Sequence, residues 1–381
     1  MKSSLLLAVL LLIAARASAA DDDGWTPLFN GKDLSNWVNV NCAPATWGVK
    51  DGVITCTGKP IGALRTPRMY ENFIFEADWR HLKSGGNSGI FIWASPISAT
   101  GAPFLRAIEV QVLDNGYDAR GKNEWYTTHG DLFPIWGSTI KPIYKGNGMR
   151  CFPIEERSKS SPEGNHYKIV GNGSKLRLSV NGKEVSGGDE CNWRKGYIGL
   201  ESEGSPVEFR NLRIKELPAS GAMPEQTAFE DKGWKPLYTG VDLHGWKTDP
   251  QLSKQWQVED WILTSRGGAG VLRTEKEFGD FELIVDCQLP KEPRGVDRDA
   301  ALPAIVLPLK DGDHRIPLAA KPGQWTRFVL TLHGDEITLK QGDSAPTSSP
   351  LPSGIPARRT IGVSGSVSGT QFANFYLREL K

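Results

Sequence analysis

The chain has 381 residues, with 45 Lys and Arg against 44 Asp and Glu, a formal net charge of +1 at pH 7. So even a balance argues against nucleic acid or an anionic membrane surface as the main partner. The length suits two domains of ordinary size, and 42 glycines with 13 tryptophans point to a turn-rich all-β protein with aromatic surfaces.

The first twenty residues read as a secretory signal peptide. Lys2 supplies a positive start, Leu5 to Ile13 an apolar run, and small residues lead to Ala19, Ala20 and the acidic Asp21-Asp22-Asp23. The apolar run is too short to span a bilayer, and no later run is long enough for an anchor. The mature protein is therefore expected to be exported, to the periplasm or the extracellular space, without a membrane span. A first domain is expected over 21–217. Trp47 to Cys56 alternates around Asp51-Gly52, a hairpin signal. Phe73 to Trp79 is a strand, followed by Gly-Gly-Asn-Ser and a second strand, Gly89 to Trp93. Ala107 to Leu113 is a third, closed by Asp114-Asn115-Gly116. Alternation puts Ile108, Val110 and Val112 on one face and Glu109 with Gln111 on the other. The pattern leaves two readings open for that second face: a polar, sugar-type site or the solvent side of an ordinary sheet. A Gly-, Pro- and aromatic-rich stretch follows, with His129 beside Asp131. Tyr167 to Val170, Leu176 to Val180, Gly196 to Leu200 and Val207 to Ile214 complete the set, with a tight turn at Asn181-Gly182.

Residues 218–230 read as a linker rich in Pro, Gly and small residues, and 231–381 as a second domain. The second domain repeats the first. Gly24-Trp-Thr-Pro-Leu-Phe-Asn-Gly-Lys-Asp-Leu-Ser-Asn-Trp37 matches Gly233-Trp-Lys-Pro-Leu-Tyr-Thr-Gly-Val-Asp-Leu-His-Gly-Trp246. Trp47 to Asp51 matches Trp256 to Asp260, Leu64-Arg-Thr66 matches Leu272-Arg-Thr274, and Phe209-Arg-Asn211 matches Phe372-Ala-Asn374. The period is far longer than the ~20–50 residues of a solenoid, so this is duplication of a domain. The five cysteines have no CxxC spacing, which disfavours a structural zinc site. Cys42 with Cys56 and Cys151 with Cys191 can pair in an oxidising compartment, or all five can be buried free thiols. Spacing does not decide.

The opening Trp-x-Pro-Leu-Phe-Asn-Gly-Lys-Asp-Leu-x-x-Trp, the Asn87-Ser88-Gly-Ile turn, the Glu109-Val-Gln-Val-Leu-Asp114 strand and the closing Phe209-Arg-Asn-Leu-Arg-Ile-Lys-Glu-Leu217 together resemble the 3-keto-disaccharide hydrolase domain family, DUF1080. The resemblance implies two tandem concanavalin A-like (LamG-like) jelly-roll β-sandwiches, the second degenerate. It implies cleavage of glycosides already oxidised at C3 by a sugar 3-dehydrogenase acting upstream. A C3 ketone acidifies the C2 hydrogen. A base removes it, the C1 group leaves by elimination, and water adds back. On that reading Glu109 is the base, with His129 as a second catalytic residue, acid or base. Gln111, Asn87, Ser88, Trp93, Trp136, Glu201 and Arg210 bind substrate, and Trp93, Trp125 and Trp136 offer aromatic faces to a sugar, although tryptophans more often anchor cores and loops. No cofactor is required by any motif, but a divalent cation such as Ca²⁺ fits LamG-like folds, with Asp114 and Asp131 as ligand candidates. Asp114 also suits a plain turn role. The second copy lacks the Asn-Ser-Gly-Ile turn and any counterpart of Glu109 and Gln111, and Ser364 replaces Glu201. The alternative to an enzyme is a lectin-like carbohydrate-binding protein on the same fold, and a protein-interaction role suits the second domain.

Overall fold

The structure is a computed structural model that describes residues 23–117, 129–291, 302–365 and 367–381. The expected signal peptide and Trp125 lie outside the described residues. Among the described residues, no helix is long and apolar enough to cross a membrane. The described chain forms four antiparallel sheets, and only two short 3₁₀ turns interrupt them.

Two sheets use strands between Thr26 and Glu216, and two use strands between Lys235 and Glu379. In the first pair, Phe73–His81 lies at the centre of one sheet, between Asn165–Asn172 and Val207–Glu216. Its alternation is the reason it faces a core. Phe73, Phe75, Ala77 and Trp79 are buried inward, while Asp78 and Arg80 point away. The facing sheet runs, strand by strand, through Arg150–Cys151, Leu132–Ile135, Ala107–Gln111, Gly89–Ala94, Tyr197–Ser202 and Gly62–Arg65. Ile90, Ile92, Ile108, Val110 and Leu200 close the core from that side. The hairpins expected at Asp51-Gly52 and Asn181-Gly182 are present, and all four residues have positive φ, as a tight two-residue connection with native strand twist requires.

The second sandwich repeats this architecture with its own core. Phe281–Gln288 is central, between Thr326–His333 and Gln371–Glu379, and Trp246–Lys247, Leu272–Thr274, Gly362–Ser364, Ala304–Leu309 and Gly312–Pro317 form the facing sheet. That sheet ends at Gly312–Pro317. In the first sandwich the equivalent sheet continues past Ala107–Gln111 through three more strands, all supplied by residues 132–151, an insertion with no counterpart among the described strands of the second.

All five cysteines are free and buried, so the pairings Cys42–Cys56 and Cys151–Cys191 are not formed. The Cys42 sulfur accepts from Trp47 Nε1 at 3.3 Å, and the Cys56 sulfur accepts from the Gly58 amide at 3.3 Å. These thiols act as small core residues. Arg65, repeated as Arg273, pairs with a carboxylate in both halves: Asp231 at 2.6 Å and Asp313 at 2.5 Å.

Candidate active site

The strand Ala107–Gln111 is buried on both faces. Its inward side is core. Its outward side differs from the solvent-facing alternative, because Ala107 is covered by the second sandwich and Glu109 and Gln111 line a cavity of about 390 Å³. Register explains the convergence. Glu109 stands opposite Phe91 on one side and Phe133 on the other, and Gln111 stands opposite Gly89. The strand Tyr197–Ser202 pairs with Gly89–Ala94 and brings Glu201 alongside Gly89. Glu203 follows two residues later, on the same side.

Oxygens of Glu109, Glu201 and Glu203 lie within 4.8 Å of one another. Glu109 and Glu201 are 5% and 1% exposed. Gly89 makes their approach feasible: a Cβ there would stand 2.8 Å from Glu109 Cγ, Glu109 Oε1 and Glu201 Oε2. Gln111 donates from Nε2 to Glu109 Oε1, and Asn87 donates from Nδ2 to Glu203 Oε2 at 2.6 Å. Arg150 also lines the cavity. It reaches across from the inserted strands, lies over the Phe133 ring at 4.3 Å and pairs with buried Asp131 at 2.6 Å. Phe104, Pro134 and half-exposed Trp136 form apolar walls.

Burial first, and the Glu203 charge second, push the Glu109 carboxyl well above the usual carboxylate range. Burial and the neighbouring Glu109 do the same to Glu201. Burial lifts Glu203 from 4.5 to about 7. Carboxyls so close cannot all ionise together, which divides them into proton acceptor and proton donor near neutral pH. Among the described residues, no amide, hydroxyl or cationic group donates to buried Glu201 Oε2, whose neighbours are the other two carboxyls. Three convergent carboxylates with one such oxygen fit a hard divalent cation.

Of the residues expected from the sequence, Glu109, Gln111, Asn87, Glu201 and Trp136 come together at this cavity. The others stand elsewhere. His129 is fully buried and is a loop anchor: Nδ1 faces Asn115 Oδ1 at 2.8 Å, and Nε2 accepts the Arg157 and Ser158 amides, each at 3.1 Å. Burial pushes it down to about 4, so it stays neutral. Ser88 is buried beneath the site and donates to the Glu201 carbonyl at 2.8 Å. Trp93 is 1% exposed and packs edge-on to Phe73, so it presents no face to a sugar. Arg210 projects from the opposite sheet, 3.6 Å from Asp78. Of the two expected cation ligands, Asp131 is held by Arg150. Asp114 is committed to the Gly85, Gly116 and Ser161 amides, which outweigh the effect of burial and lower its pKa. His81 is buried with Nε2 on the Val112 carbonyl at 2.7 Å.

Glu203 and Arg150 are the additions. Glu203 carried a signal, since it repeats Glu201 at the two-residue period of a strand. Arg150 carried none, because its place depends on how the insertion folds back. In the second sandwich, register puts Arg315 at the position of Glu109, opposite Val306, and Ser364 at that of Glu201, beside Ala304. Arg315 Nη2 donates to Ser364 Oγ at 3.1 Å. A cation and a hydroxyl thus replace the carboxylate pair.

A profile of the "3-keto-alpha-glucoside-1,2-lyase-like domain" matches residues 24–215 and 233–301. A 3-keto-disaccharide hydrolase of Bacteroides thetaiotaomicron is 26% identical over 233 residues, covering 51% of this chain and 79% of that protein. A structure from Parabacteroides distasonis, described as a candidate glycosyl hydrolase, is 24% identical with a TM-score of 0.42, covering 51% of this chain and 94% of that one. The carbohydrate-binding module CBM66 of Bacillus subtilis is 12% identical with a TM-score of 0.32, covering 48% of this chain and 96% of the module.

Proposed function

Since the chain belongs to the family of 3-keto-alpha-glucoside-1,2-lyase-like domains, a carbohydrate-active and glycosyl-hydrolase-like family, we propose that it cleaves 3-keto-glycosides, among them 3-keto-disaccharides, at the cavity of the first sandwich. The carrying observation is the trio of Glu109, Glu201 and Glu203, two of them buried, in a cavity walled by Trp136 and Phe104. A glycosidase acting on unoxidised sugar needs two carboxylates on opposite sides of the bond, at about 5 Å or more. Here three crowd one spot. That arrangement suits proton transfer at carbon beside a carbonyl.

Glu109, its pKa raised, takes the C2 proton, and the electron pair moves onto the C3 oxygen as an enolate. The pair returns, C1–C2 becomes a double bond and the C1–O bond breaks. Glu203, poised near neutrality, gives the leaving oxygen its proton. Water then adds across C1–C2, OH to C1 and H to C2, and yields the free 3-keto sugar. Arg150 stands beside the cavity as positive charge for the enolate oxygen, and Gln111 and Asn87 hold hydroxyls. A divalent cation held by the three glutamates would supply further charge for that oxygen when bound. The substrate is made by oxidation of a glycoside at C3, the work of a sugar 3-dehydrogenase. The apolar leader at 1–20 supports export, and the matched halves support duplication followed by loss of the site in the second domain.

The test is release of free sugar from a 3-keto-disaccharide and from its unoxidised parent, with and without chelator. Turnover of the keto substrate alone is expected. In Glu109→Gln it should fall by about 10³-fold or more, as loss of a general base does, with the melting temperature not lowered. Equal turnover of the unoxidised parent, or an active Glu109→Gln, would overturn the assignment. Binding of either sugar without turnover would leave a lectin.

A further inference from the structure

The cavity lies where the two sandwiches meet. Phe91, Leu105 and Ala107 of the first form one apolar cluster with Trp234, Ile284 and Tyr376 of the second. Ala107 and Glu109 are consecutive on the same strand face, so the covered row ends where the cavity begins. Phe104, a cavity wall, packs against that cluster.

Several polar contacts join the sandwiches, among them Asn41 Nδ2 to Asn374 Oδ1 and the Ile61 amide to Asp260 Oδ1 at 2.6 Å, and the densest set gathers on one connection. The connection between Gly89–Ala94 and Ala107–Gln111 projects from the first sandwich, and the second holds it by its backbone. Asp286, fully buried, accepts the Gly101 amide at 2.8 Å. Asn374 donates from Nδ2 to the Ala99 and Ala102 carbonyls, both at 3.0 Å. Arg327 donates to the Ser98 carbonyl at 2.8 Å while pairing with Asp286. Tyr376 donates to Ser98 Oγ at 3.0 Å. Gly101 has φ +68°, and a Cβ on it would stand 2.1 Å from Trp325 Cγ. Every charge in this buried set is paired, so the contact is specific in register and not a greasy patch alone.

The same positions in the first sandwich show what is special. Asp78 and Asn211 occupy the places of Asp286 and Asn374, with the same side-chain bond between them, 2.6 Å against 2.7 Å. There His166 stands opposite Asp78 where Arg327 stands opposite Asp286. In the first sandwich, among the described residues, this face lines open pockets built from first-sandwich residues alone. In the second it grips the loop feeding the strand that carries Glu109.

We propose that the second sandwich is a positioning clamp for the active site. Through Asp286, Arg327 and Asn374 it fixes residues 98–102, and so sets the Phe104 wall and the placement of Glu109 and Gln111. These three are positioning residues. The proposal rests on the cavity being the substrate site, and its test has one arm that does not depend on turnover. Hydrogen exchange of the full chain is compared for wild type, Asn374→Ala, Arg327→Met and Arg327→Lys. In Asn374→Ala and Arg327→Met, amides of 97–111 should exchange at least about tenfold faster while the core strands Phe73–His81 and Phe281–Gln288 keep their protection. In steady-state assays with the 3-keto-disaccharide, KM should rise about tenfold and kcat should fall as well, because Glu109 is displaced, and Arg327→Lys should recover most of both losses. A variant that merely lowered the folded fraction would lower apparent kcat and leave KM alone. Unchanged exchange in 97–111 would overturn the clamp. Faster exchange with unchanged KM would overturn its positioning role. A wild type without turnover of the keto substrate would refute the catalytic reading instead, and the exchange arm would still decide the clamp.

Discussion

Replacing Glu203 by Gln removes one negative charge from a cluster whose oxygens lie within 4.8 Å of one another. Burial lifts Glu203 from 4.5 to about 7. A raised pKa means that folding favours the protonated form. Its contribution is fully present below the unfolded pKa, near 4.5, and is lost as pH rises through about 7. That difference corresponds to about 3 kcal/mol as an upper bound. Partial solvent access and relaxation of the cluster reduce it to about 1–2 kcal/mol. The Gln variant has no charge to bury, and its amide still offers an oxygen to Asn87 Nδ2. At pH 8 it should therefore be more stable than wild type by about 1–2 kcal/mol, or about 2–8 °C in Tm for a domain of this size. At pH 4 the two should melt together. The assay is thermal and urea denaturation at pH 4, 6 and 8 with a chelator present, because a cation on the carboxylates would invert the sign. A variant less stable than wild type at pH 8, or a difference independent of pH, would refute the reasoning that like charge and burial strain this site.

Gly89→Ala should abolish turnover, because the added Cβ stands 2.8 Å from both Glu109 and Glu201; full activity would show that the two carboxylates need not meet. His129→Ala should cost about 2 kcal/mol or more by orphaning the Arg157 and Ser158 amides, read by urea denaturation. Its partner prediction is one of pH: a His held neutral, with its pKa depressed from 6.5 to about 4, contributes stability that is lost as pH falls from 6.5 through 4, and the variant should lack that fall. Trp136→Ala, at a half-exposed wall, should raise KM several-fold, about 1 kcal/mol of binding, with Tm unchanged. Ca²⁺ should raise the Tm of wild type and not that of Glu201→Gln if the trio holds a cation.

Period-two alternation and turn chemistry made most of the strands legible. Phe73–His81 and Asp51-Gly52 are local statements, settled by which side chains are apolar and which residues tolerate positive φ. The comparison of the two halves was also legible, and it singled out Glu109, Gln111 and Glu201 as residues present in one half only. What sequence could not supply was distance across strands. His129 and Asp114 have the chemistry of ligands, yet each spends it on backbone amides, because a loop must satisfy its own donors before anything else. Trp93 has a sugar-stacking side chain, yet it faces inward. Arg150 and Glu203 reach the cavity only after the inserted strands extend the sheet and register sets Tyr197–Ser202 beside Gly89. The chain by itself thus determined which segments are strands and which half keeps its acidic residues, since both follow from local pattern. Only the tertiary structure decided that three carboxylates share one buried spot at the edge of the second sandwich, since that depends on pairing between residues roughly twenty to a hundred positions apart.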